Sequence, residues 1–73
     1  MMTRLGEYLT KKSVNRAMVS RRTGISQSRL SQLSSNEGTQ LRADELFLIA
    51  LAIDIDPGEM FRDIFRNLKL END

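Results

Sequence analysis

Residues 23–33, Thr23-Gly24-Ile25-Ser26-Gln27-Ser28-Arg29-Leu30-Ser31-Gln32-Leu33, decide how the chain folds. Gly24 is the residue type that tolerates the left-handed turn ending a helix. Ser26, two residues on, is a good N-cap, because its hydroxyl can accept an otherwise unpaired backbone N–H of the next helix. Ile25 and Leu30 flank that cap as a hydrophobic staple. Within the helix that follows, only Leu30 and Leu33 suit a core. The remaining side chains are amides, hydroxyls and one guanidinium. A merely solvated helix has no need of that set.

The same devices recur on either side. Upstream, Asn15 is a cap, with Val14 and Val19 as its staple, and Gly24 closes the helix that Asn15 opens. Two short helices joined by a tight glycine turn form a helix-turn-helix. A first helix is expected from Arg4 to Lys12, with Leu5, Tyr8 and Leu9 inward. Downstream of a polar loop, residues 34–40, the pattern predicts a fourth helix from Ala43 to Ile53. It is apolar nearly all round, so it is expected to be central and enclosed by the others. Asp44 and Glu45 in its first turn suit the helix dipole. Asp56, Pro57 and Glu59 open a fifth helix, expected to run to about Leu68. Ile55 and Met60 form its staple. Strand patterns are absent. The expected fold class is all-α: one compact five-helix domain spanning residues 1–73.

Composition removes many functions. The 73 residues include no Cys and no His, which excludes disulfides and leaves acid–base chemistry without its usual residue. No enzyme activity, cofactor or metal is expected, and no small-molecule effector is evident. Asp56, Glu59 and Asp63 are read as a cap and dipole complement rather than a metal or acid–base site. No apolar run reaches membrane-spanning length and the start has no signal-peptide pattern, so a cytoplasmic location is expected. The net charge of +1 conceals a division. Residues 1–42 carry eight Lys and Arg against two acids, and residues 43–73 carry three against eight. Such a chain offers a basic face to a polyanion.

The third helix supplies the matching recognition chemistry. Gln27, Ser28, Ser31 and Gln32 should point outward, with Arg29 at the flank. Gln pairs bidentately with adenine, Arg with guanine, and Ser with either kind of base or with phosphate. The DNA major groove admits one helix, entered by its N-terminal residues.

From Val14 to Phe61 the chain resembles the Cro/repressor-type helix-turn-helix family of phage repressors, xenobiotic-response-type regulators and restriction–modification controller proteins. The residues carrying the likeness are VSRRTGIS (19–26), ISQSRLSQL (25–33), LFLIALAID (46–54) and DPGEMF (56–61). Ala50 and Ile53 stand where the family has its Ala and Leu core pair. The resemblance implies a lambda repressor-like fold and a prokaryotic or phage transcription regulator, such as a repressor. It implies base contacts from Gln27, Ser28 and Gln32, and places Arg29 where the family contacts bases or phosphates, read here as a further base contact. Arg16 matches the family's phosphate-binding Gln position, and Ser31, Thr39, Gln40 and Arg42 join it as expected phosphate contacts. Where the family commonly has an acidic residue and then Gly after the recognition helix, this chain has Ser34, Ser35 and Asn36. Arg42 replaces the family's usual Ser or Thr cap on the fourth helix.

The expected partners are double-stranded DNA and a second copy of the chain. Phe61, Phe65 and Leu68 fall on one stripe of the fifth helix, beside Met60 and Ile64. One helix cannot easily bury all five against so small a core, so the stripe is read as a dimer interface. The alternative is a module of the same fold, of antitoxin or anti-regulator type, that binds a partner protein instead of DNA.

Overall fold

A computed structural model describes residues 2–72. Among the described residues there are five helices and no strands: α1 (Arg4–Lys11), α2 (Arg16–Thr23), α3 (Gln27–Ser35), α4 (Ala43–Ala52) and α5 (Pro57–Ile64).

The helix starts follow from their caps. Asn15 Oδ1 accepts the Met18 N–H at 3.1 Å, Ser26 Oγ the Arg29 N–H at 3.0 Å, and Asp56 Oδ2 the Glu59 N–H at 2.9 Å. Gly24 has φ of 80°, and its N–H reaches the Ser20 carbonyl at 2.9 Å, closing α2 and turning the chain into α3. That conformation is open to glycine without the steric penalty a Cβ would bring. Val14, Ile25 and Ile55 pack against the core beside the buried Val19, Leu30 and Met60, as the three staples require.

One core cluster joins all five helices. α4 packs between α2 and α5, α1 lies across α3 and α5, and α2 meets α3 at the turn. The α1–α3 crossing is unusually close. The Thr3 N–H donates to the Ser34 carbonyl at 2.8 Å and the Thr3 hydroxyl to the Leu33 carbonyl at 2.6 Å. The same hydroxyl oxygen accepts the Gly6 N–H at 3.1 Å, so Thr3 caps α1 and the end of α3 together. Gly6 lies directly against the Ser34 carbonyl, where a Cβ would overlap the oxygen.

Two expectations are corrected. α4 is not enclosed: Phe47, Leu48 and Leu51 are 51%, 39% and 49% exposed, so one side of this apolar helix faces solvent. Its neighbours α2 and α5 cover only the Leu46, Ile49 and Ala50 side. α5 does not run to Leu68. It ends at Ile64 with Phe65 as its cap, so Leu68 falls outside the helix and only Phe61 and Phe65, one turn apart, keep the expected stripe. Just past that end, Arg66 Nη1 donates to the Asp63 carbonyl at 2.8 Å and to the Asp63 carboxylate at 2.7 Å. Met60 and Ile64 are buried and Phe65 half-buried, while Phe61 and Leu68 are exposed.

Candidate nucleic-acid interface

Helical spacing sorts α3 into two faces. Leu30, Leu33 and Ser34 are buried, with the Ser34 hydroxyl bonded to the Leu30 carbonyl at 2.7 Å. Gln27, Ser28, Ser31, Gln32 and Ser35 are exposed, recurring at the one-and-four interval that keeps them on one side. Among the described residues, the side chains of Gln27, Ser28 and Gln32 have no hydrogen-bond partner. The amides and hydroxyl expected to meet bases are therefore brought together on one open face.

Arg29 is placed differently. Its Nε donates to Glu45 Oε2 at 2.9 Å and its Nη2 to Glu45 Oε1 at 3.0 Å. The same Nη2 reaches the Gln40 carbonyl at 3.0 Å. Glu45 Oε1 also accepts the Arg42 N–H at 3.0 Å, supplying the reach-back bond of a cap that Arg42, with no acceptor, cannot complete itself. From sequence alone Arg29 reads as a base contact and Glu45 as a dipole complement. The bridge between residues 16 positions apart has no local pattern to reveal it.

Hydrogen bonding to Arg29 outweighs desolvation, and with the Arg42 N–H it holds the buried Glu45 carboxyl below the usual carboxylate range. A carboxylate depressed in the folded state adds stability above its unfolded pKa, about 4.3. That contribution is lost as pH falls through the lower folded value. Melting curves across the acid range should therefore fall more steeply for the wild type than for Glu45→Gln, which has no such proton to take up. Parallel curves would remove Glu45 from the acid response.

The expected phosphate contacts lie on α2, on α3 and in the α3–α4 loop. Arg16 is the first residue of α2 and half-buried, and Ser31 is exposed on α3. Thr39 and Gln40 lie in the α3–α4 loop, where Asn36 accepts the Gly38 N–H at 2.8 Å and the Thr39 N–H at 3.0 Å. Arg42 pairs with Asp44 at 3.0 Å, but both side chains are largely exposed, and such pairs open at little cost. Arg22, another cation of α2, donates instead to the Ala52 carbonyl at 2.8 Å and ties α2 to the end of α4.

No helix among the described residues is long and apolar enough to cross a membrane. No curated protein and no solved structure matches the chain. The model of the Cro/C1-type HTH DNA-binding domain does match, over residues 4–65, from the first residue of α1 to the cap of α5. With its glycine-turned α2–α3 unit and the open polar face of α3, this chain belongs to the Cro/C1-type helix-turn-helix DNA-binding family.

Proposed function

We propose that the chain is a sequence-specific regulator of transcription that binds duplex DNA as a homodimer on a near-palindromic operator. One observation carries the reading: the side chains of Gln27, Ser28 and Gln32 stand exposed and without protein partners on one face of α3. In the major groove they read base edges. Arg16, Ser31, Thr39, Gln40 and Arg42 hold the flanking phosphates, assisted by the basic balance of residues 1–42. Phe61, with Phe65 and Leu68 beside it, meets the second copy. The reading places DNA binding, without catalysis or cofactor, in the cytoplasm.

Selection from a random duplex pool supplies the site for the test. Wild-type binding to the selected site and to scrambled duplex should both weaken steeply with salt, because phosphate contacts release counterions. Gln27→Ala and Gln32→Ala should each narrow the preference by about 1–3 kcal/mol while leaving scrambled-duplex binding nearly intact. Variants that keep the wild-type preference would sink the assignment of α3.

A partner-protein module has one observation in its favour, the solvent-facing Phe47, Leu48 and Leu51 of α4. Salt-insensitive binding, or none, to any duplex would turn the reading toward it.

A further inference from the structure

The geometry points to Arg29 and Glu45 as a positioning pair that locks the recognition helix to the α3–α4 loop, so that base-reading and phosphate-reaching groups meet DNA as one body. This rests on the DNA-binding reading above. It gives Arg29 a part other than reading a base.

Arg29 is fixed at both ends. Its N–H is held by the Ser26 hydroxyl at 3.0 Å, and its guanidinium by both Glu45 oxygens and the Gln40 carbonyl. Planar, two-point pairing of this kind sets orientation as well as distance. The Glu45 side chain is only 9% exposed against 32% for Arg29. Moving the guanidinium to a base would leave that carboxylate buried without its cation, which is the costly way to break an ion pair. The neighbouring Arg42–Asp44 pair is the contrast, since with 68% and 61% exposure it can open to water.

The bridge also determines what moves together. Through Gln40 and Arg42, Glu45 and Arg29 hold both ends of the segment where the chain enters α4. That segment carries two proposed phosphate contacts. The first turn of α3, which carries Gln27 and Ser28, lies on the other side of the same bridge. Releasing it frees the loop to shift relative to the reading face. Contacts that were placed together then have to be ordered separately on binding.

Arg29→Met, Glu45→Gln and the double variant test this in two ways. In the free protein, amide exchange should rise about tenfold at Arg42 in Arg29→Met, with the caps at Met18 and Glu59 unchanged. Unchanged exchange at Arg42 overturns the clamp whatever the protein does with DNA. On DNA, each single variant should narrow the ratio of selected-site to scrambled binding by about tenfold, spread over the site. The double should lose no more than either single, because residues acting as one unit are not additive. If Arg29 instead reads a base, Arg29→Met loses selectivity at one base pair and Glu45→Gln keeps it. That result overturns the positioning role. Faster exchange with an unaltered ratio would show a clamp irrelevant to recognition and overturn the role equally. A wild type without salt-dependent duplex binding overturns the DNA reading and this role with it, while the exchange result still reports on the bridge.

Discussion

Gly6→Ala should lower the melting temperature by about 8–16 °C, although alanine is the better helix former. Two effects oppose each other. Replacing glycine inside a helix gains about 1 kcal/mol from propensity. Against that, a Cβ at position 6 overlaps the backbone oxygen of Ser34, a contact that no side-chain rotation can relieve. α1 must move away from α3, and the move strains the bonds from Thr3 to the Leu33 and Ser34 carbonyls. Overpacking costs up to about 3 kcal/mol and at times more. The net loss of about 2 kcal/mol, at roughly 4–8 °C each for a domain of this size, gives the expected shift. Thr3→Ala serves as the control for losing the Thr3 hydroxyl, both its cap on α1 and its bond to the Leu33 carbonyl, at about 1 kcal/mol. Gly6→Ala should cost more than Thr3→Ala, and calorimetry on both decides it. A Gly6→Ala protein as stable as the wild type would mean that α1 can ride higher on α3 at no cost.

Gly6 also shows which parts of the fold are legible in sequence. Caps and staples are local, so Asn15, Ser26 and Asp56 each announced a helix start, and the structure has those starts. The glycine turn was legible for the same reason. Gly6 carried a readable signal too, a costly residue inside a helical pattern, but its cause lies 28 positions away at Ser34. The Arg29–Glu45 bridge is likewise tertiary, and nothing local to Arg29 signals its partner at Glu45. The open side of α4 was missed because uniform apolarity tells how much surface seeks cover, not how many neighbours supply it. The end of α5 at Ile64 was missed because the apolar periodicity continues through Phe65 and Leu68, past the point where the helix stops.

Phe61→Glu should cost about 100-fold or more in operator affinity while leaving the fold intact. Phe61 is 54% exposed on α5, its ring centroid 5.0 Å from that of Phe65 and tilted by 55°. Leu68, 75% exposed, follows in the turn after the helix, where its N–H meets the Phe65 carbonyl at 3.0 Å. An exposed ring backed by a half-buried one can give up its charge-free surface without opening the core, whereas Phe65→Glu would damage the core directly. Covering Phe61 against a second copy would stabilise the pair by roughly 1.5–3 kcal/mol per ring at most, so the dimer need only be modest in free solution. On DNA the effect is larger. In the proposed dimer, recognition helices about 34 Å apart would read two half-sites on one face of the duplex. The second half-site then binds at a high effective concentration, which multiplies affinity by about 10²–10⁴. In the proposed dimer a glutamate at position 61 would place two like charges at the twofold and remove that factor, leaving the scrambled-duplex affinity close to that of one subunit. Leu68→Glu is the second variant, tolerable to the fold because Leu68 is largely exposed and outside the core. Sedimentation, circular dichroism and binding to whole and half operators, run on the same preparations, give the answer. Folded variants that bind half-sites as the wild type does, but lose the advantage of the whole operator, are the expected result. Variants that keep the whole-operator advantage would place the dimer surface elsewhere, and the solvent-facing side of α4 would be the next apolar face to test in the same way.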